Sequence, residues 1–260
     1  MSEQQTSGSR NVVWGERNLY GYTIGILMIE GYFPRPPGAI GNATTFAFPV
    51  MHHVVRGAFG ETTVRALGKH PPGSPAYLAA IEPWLEGARE LERRGVRAIT
   101  SSCGFTALFQ RELTEAVSVP VFATSLLLAP TISRMLKPGA KVGVVTADGR
   151  ALTERHLKGA GIDPDTIAVV GLEDCATFQQ MAYEERHELD LGHLDHEVRS
   201  IIRDLIEREP TIGALLLECS LLPPYAASVQ REFGLPVIDF TTMINMVHST
   251  LVRAPFQGYL

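Results

Sequence analysis

The chain has 260 residues, 45% of them apolar and 20% charged, with a formal net charge of −5. This is ordinary globular composition, with length enough for one large domain or two lobes with a real core. The acidic balance argues against nucleic acid or an anionic membrane as the main partner. Three cysteines without CxxC spacing exclude a disulfide framework and fit a reducing, cytoplasmic setting. No apolar run reaches membrane-span length, and the polar segment 1–17 has no apolar signal core, so neither a span nor a signal peptide is expected.

Residues 1–20 read as a disordered or loosely attached arm. A short buried strand is expected over 22–29, followed by Gly31 to Asn42, too rich in Pro and Gly for a helix and read as a long structured loop, weighed as a lid or a rigid crossover. Asn42 is a candidate ligand contact there, although Gly41-Asn42 is equally ordinary turn chemistry. A second strand at 46–50 and a break at 68–74 precede a helix over 75–94, with Leu78, Ile81, Leu85, Ala88 and Leu91 at helical spacing. Strand 96–101, Cys103, helix 105–117, strand 119–123 and helix 127–136 complete the first half. The second half runs through strand 141–147, helix 151–160, strand 167–171, helices near 175–186 and 194–208, strand 212–217, Cys219, helix 223–233 and strand 236–239. A last helix, 242–253, is expected to pack back on the first half.

The chain contains one unit twice. Ala98 to Cys103 and Ala214 to Cys219 are each an apolar run ending in Cys, with Ala five residues before it. From Cys103 to Pro120 is 17 residues, and from Cys219 to Pro236 is also 17. Gly25 lies 78 residues before Cys103, and Gly143 lies 76 before Cys219, so the repeat extends over whole lobes. Alternating strands and helices imply an α/β fold of two pseudo-symmetric lobes, each a mostly parallel sheet flanked by helices. The expected division is lobe 1 over 21–138 plus 239–260, and lobe 2 over 139–238. Ligands in open α/β sheets bind beyond the carboxyl ends of strands. Both cysteines sit at such ends, which places them on opposite walls of the cleft between the lobes.

Each thiol precedes a helix start, where unpaired N–H groups favour a thiolate near neutral pH. Two close negative charges repel, so one thiolate and one thiol are expected to dominate. That pair can remove a proton from one face of a carbon and return one to the other. The backbone N–H groups of Gly104, Phe105 and Ser220, with the Thr146 hydroxyl, are candidate substrate-binding groups for the developing enolate. No cofactor is needed for this chemistry. Glu218 neighbours Cys219, but strand alternation turns it to the other face, in a structural role.

The sequences Ser-Ser-Cys103-Gly-Phe and Leu-Glu-Cys219-Ser-Leu-Leu-Pro-Pro resemble the aspartate/glutamate racemase superfamily, which includes amino-acid racemases, hydantoin racemase, arylmalonate decarboxylase and maleate isomerase. The resemblance runs from Tyr22 to Leu251 and implies Cys103 and Cys219 as acid and base, no cofactor, a small carboxylate substrate and a homodimer. Glutamate racemases carry Asp-Ser at the end of the first strand, where this chain has Met28-Ile29. They follow the first cysteine with Asn-Thr, here Gly104-Phe105, and the second with Thr-His, here Ser220-Leu221. These replacements imply a more apolar pocket than glutamate requires. The leading expectation is a racemase or epimerase inverting a carbon beside a carboxylate or carbonyl. A decarboxylase or cis–trans isomerase with one essential cysteine stays open, as does a hinged, non-catalytic binder of small anions.

The remaining residues take plainer readings. Cys175 has no counterpart at a strand end and reads as structural. His52-His53 and His187, His193 and His196 lack a third ligand at convincing spacing and read as solvated, so no metal site is expected.

Overall fold

Six consecutive apolar or glycine residues, Ile24–Ile29, form β1, and all six are buried, as a strand covered on both faces requires. The computed structural model describes residue 13 and residues 15–258. The expected arm at 1–20 thus lies largely outside the described residues; positions 15–20 are exposed and irregular. β1 pairs in parallel with β2 (Val50–Val55) and β3 (Ala98–Ser101), in the order β2-β1-β3. The second sheet comprises β4 (Lys141–Thr146), β5 (Ile167–Gly171), β6 (Ile212–Leu217) and β7 (Val237–Ile238). It is also parallel, in the order β5-β4-β6-β7.

The repeat recurs as strand register. Gly25 pairs with Ile99, and Ile99 bridges to Val121; Gly143 pairs with Leu215, and Leu215 pairs with Val237. Each cysteine stands four residues beyond the central member of its trio. The two lobes are therefore built on one frame, and it ends in a thiol twice.

Helices cover both sheets. α1 (Pro75–Arg93) is capped by Ser74, whose side chain accepts the Tyr77 N–H, and Pro75 suits the first turn. It buries Tyr77, Ile81, Trp84, Ala88 and Leu91. α2 (Gln110–Ala116) and α3 (Ala129–Met135) follow in the first half, and α4 (Glu154–Gly159) and α5 (Ala176–Ala182) in the second. α6 (Leu191–Arg208), capped by Asp190, buries Leu194, Val198, Ile202 and Leu205, and α7 (Ala226–Phe233) ends at left-handed Gly234. α8 (Phe240–Leu251) returns to the first sheet, packing Phe240, Met243 and Ile244 on Ile24, Ile26, Met28 and Phe122. No helix among the described residues is long and apolar enough to cross a membrane.

Several elements differ from their expected form. The strand placed at 46–50 begins instead at Val50, just after Pro49, which has no N–H for the ladder. The strand expected at 119–123 shrinks to the Ile99–Val121 bridge. The Gln110 amide takes the Val121 carbonyl (2.9 Å) and the Ala123 N–H (3.0 Å), so a side chain replaces the ladder. The helix expected over 105–117 opens as a 3₁₀ stretch, Gly104–Phe109, before α2. Segment Glu61–Ala66, given no element in the sequence reading, is a π-helical turn.

Candidate active site

Both cysteines lie just beyond the carboxyl end of a strand, Cys103 after β3 and Cys219 after β6, and both line one cavity. About 410 Å³ of empty space lies in it, mouth included. Phe33, Phe105, Phe178 and Tyr183 give the walls an aromatic character, with Ile29, Val64 and Leu221 beside them. The thiols are free and buried.

Burial raises both thiol pKa values, that of Cys219 to about 12 and that of Cys103 well above its ordinary value, and the neighbouring Glu218 carboxyl adds to both. The N–H groups of Phe105 and Thr106 at Cys103, and of Leu221 at Cys219, pull the other way. Arg35 also favours the Cys219 thiolate. The thiolate expected near neutral pH is therefore not the favoured form of either cysteine. Backbone donors at the following turns do not offset desolvation.

Glu218 departs most from its expected place. β6 ends at Leu217, and the Glu218 N–H donates to the Val145 carbonyl (2.8 Å). Its side chain, instead of turning away, is fully buried and lines the cavity. The Thr146 hydroxyl donates to Oε2 (2.8 Å), while Oε1 has no hydrogen-bond partner among the described residues. Burial lifts the carboxyl to about 7, against the pull of the Thr146 hydroxyl and the Ala147 N–H. Ser102 holds the equivalent place in the first lobe, where its Oγ accepts the Ile29 N–H (2.8 Å). A Cβ at Gly104 would stand 1.8 Å from Glu218 Oε1, so only glycine leaves the carboxyl room.

Among the residues singled out by sequence, Gly104, Phe105 and Ser220 line the cavity with the two cysteines. The Ser220 hydroxyl donates to the Ser102 carbonyl (2.5 Å) and ties the two lobes at the cavity edge. The Phe105 ring meets His156 edge-on at 5.1 Å. Thr146 is not in the cavity wall; its hydroxyl is spent on Glu218. Asn42 also lies outside the wall. Its side chain accepts the Thr44 N–H and donates to the Arg35 carbonyl (both 2.9 Å), which is turn chemistry that orders the 31–42 loop.

That loop carries a residue the sequence reading missed. The Arg35 guanidinium lies 4.4 Å from the centre of the Phe33 ring and has no ion-pair partner within 4.0 Å among the described residues. Burial lowers its pKa to about 10, and Cys219 opposes the shift. A lone cation in a Pro-rich loop after the first strand was the available signal. Tyr183 was missed as well, with no sequence signal. Its hydroxyl is buried without a hydrogen-bond partner among the described residues, and the Arg65 guanidinium lies 3.9 Å over its ring. Arg65 leaves the π-helical turn and donates to Asp148 (2.9 Å) and Gln179 (2.6 Å) of the second half.

Two parallel sheets, each ending in a thiol over a shared cavity, define a two-cysteine α/β frame. The chain belongs to the Asp/Glu/Hydantoin racemase family, whose model matches residues 40–244. A dimethylsulfoniopropionate lyase from Durusdinium sp. clade D is 30% identical over 227 residues, covering 85% of this chain and 72% of that protein. Dimethylsulfoniopropionate lyase 6 from Emiliania huxleyi is 28% identical over 243 residues, covering 91% of this chain but only 61% of its own length. Among solved structures, allantoin racemase from Klebsiella pneumoniae superposes with a TM-score of 0.57 at 18% identity, over 88% of each chain. Unliganded arylmalonate decarboxylase gives 0.54 at 17% identity, over 92% of this chain and 97% of that one. These two structural likenesses concern the fold. The curated relatives are named as lyases rather than racemases, so the family membership stands while the reaction class is left to the site.

Proposed function

We propose that this chain removes a proton from the carbon beside a carboxylate, and that the reaction is elimination of dimethyl sulfide from dimethylsulfoniopropionate or a close sulfonium carboxylate. The observation that carries this reading is an aromatic-walled cavity lined by both Cys103 and Cys219; the lyase relatives supply the substrate class. The Cys219 thiolate, favoured by Arg35, acts as base on the carbon next to the carboxylate. The C–H electron pair becomes the new carbon–carbon π bond. The C–S bond breaks, its electron pair leaves with sulfur as neutral dimethyl sulfide, and acrylate stays behind. Cys219 then returns its proton to solvent. The Cys103 thiol stands by as hydrogen-bond donor to the enolate-like charge, with the N–H groups of Gly104 and Ser220, while the Phe105 N–H is directed at the Cys103 sulfur. Arg35 lines the adjoining cavity with Met28, Ile29 and Gly41 rather than the thiol cavity itself, and its influence on Cys219 makes it the cation assigned to the substrate carboxylate.

The same two thiols support a second reading, inversion at the carbon beside the carboxylate, in which the second thiol of the shared cavity returns the proton to the opposite face of that carbon. Product analysis separates the two. Gas chromatography should detect dimethyl sulfide from dimethylsulfoniopropionate, with acrylate in NMR, and Cys219→Ala should lower the rate by about a thousandfold. Absence of dimethyl sulfide, with deuterium entering an amino acid or hydantoin at its stereocentre in D₂O, would replace elimination by racemisation.

A further inference from the structure

The proposed elimination does not use Glu218, yet among the described residues this is the one carboxyl in the cavity wall. It is fully buried, one oxygen is held by Thr146, and the other has no hydrogen-bond partner among the described residues. Gly104 makes room for that free oxygen, since any side chain there would meet it. An unpaired buried carboxylate is costly, so a site that keeps one gains when a ligand brings the opposite charge. The surroundings fit a weakly hydrated cation: Phe33, Phe105, Phe178 and Tyr183 share the wall with Glu218, and aromatic faces attract onium groups.

We infer that Glu218 is the counter-charge for an onium group on the substrate, so that the cavity selects zwitterions carrying a sulfonium or quaternary ammonium close to a carboxylate. This rests on the elimination reading for the substrate's general shape and adds the residue that recognises its cation. Glu218 and Arg35 then divide the substrate between them, the carboxylate going to the guanidinium and the onium to the carboxyl. An uncharged or anionic acid of equal size leaves Glu218 buried and unpaired, and is rejected for that reason.

Two probes of equal shape isolate the charge: β-alanine betaine, and 4,4-dimethylpentanoate, its carbon isostere. Titration calorimetry on the wild-type protein at pH 8.5 should show the betaine binding about tenfold tighter or more, as a charge-assisted contact implies. Glu218→Gln keeps the shape and an acceptor for Thr146, and should erase the preference. Equal binding of both probes to the wild type, or an undiminished preference in Glu218→Gln, would overturn the inference. A measurement on the wild type alone covers a variant that does not fold. Between pH 5.5 and 8.5 Glu218 changes charge, its carboxyl lying near 7. Cys103, Cys219, Tyr183 and Arg35, the other titrating groups around it, keep theirs, all being raised or intrinsically high. The preference should therefore shrink at pH 5.5, and a preference unchanged with pH would count against Glu218. Dimethyl sulfide release is scored separately. Release without charge preference removes Glu218's role and leaves the elimination; preference without release keeps the onium site and removes the elimination.

Discussion

Gly104 and Glu218 show how one missing side chain can set a site. A methyl at position 104 would overlap Glu218 Oε1, so Gly104→Ala must displace the carboxyl or the backbone after Cys103. We expect a loss of about 1–3 kcal/mol in urea unfolding, the usual cost of overpacking. In a Glu218→Ala background the new methyl meets no carboxyl, so most of that loss should disappear; additive costs would show that the contact is not the cause. The same carboxyl should mark the pH profile of turnover. Burial holds Glu218 near 7 and both thiols far higher. For an onium substrate, kcat/KM should climb through pH 7 as Glu218 ionises, then continue upward as thiolate accumulates. Arg35 and Tyr183, also near the thiols, do not titrate near 7. Glu218→Gln should lose the step near 7 and keep the alkaline rise; an unaltered profile would assign the step elsewhere.

Strands and their register were the legible part of this chain. Equal spacing from cysteine to proline in both halves reappears as the Ile99–Val121 and Leu215–Val237 pairings, because apolar runs ending at a fixed turn leave little freedom of register. Gly104, Phe105 and Ser220 could be placed because they adjoin the cysteines in sequence. Glu218 could not, since strand alternation holds only inside the ladder and β6 stops one residue short of it. The strand at 119–123 was overestimated because Gln110 captures its backbone groups, a tertiary contact that periodicity does not contain. Arg35 and Tyr183 come from a loop and a helix end, and only the fold brings them near the thiols, with Arg65 stacked on the Tyr183 ring. The π-helical turn Glu61–Ala66 carries the consequence. Through Arg65 it holds Asp148, Gln179 and the Tyr183 ring, and it contributes Val64 to the cavity wall beside Tyr183. Arg65→Met keeps the length and removes the charge-assisted bonds, so the turn should open more often. Iodoacetamide should then label Cys103 and Cys219 about tenfold faster at fixed pH, as loss of one to two such bonds implies. Labelling at the wild-type rate would show that the turn does not guard the cavity.

At the scale of the whole molecule, two buried groups should shape stability in opposite directions. Glu218 moves from 4.5 to about 7 on folding, so between these values the folded protein binds the extra proton, and stability falls as pH rises. His156, wholly buried, moves from 6.5 to about 4 through desolvation, with Arg155 adding to the shift. Its Nδ1 accepts the Thr153 N–H (3.1 Å), and its Nε2 has no partner among the described residues. The unfolded chain therefore binds the extra proton at this site below 6.5, and stability is lost as pH falls toward 4. Each displacement is worth about 3 kcal/mol. Between pH 4.5 and 6.5 the two slopes offset one another, which flattens the wild-type curve there. Glu218→Gln removes one slope and exposes the other. In urea titrations from pH 4 to 8 the variant should gain stability steadily up to pH 6.5. It should then exceed the wild type at pH 8 by about 3 kcal/mol more than at pH 4. Parallel curves for the two proteins would mean that the Glu218 carboxyl does not change its proton affinity on folding, and with that the buried, unpaired carboxyl would lose its energetic basis.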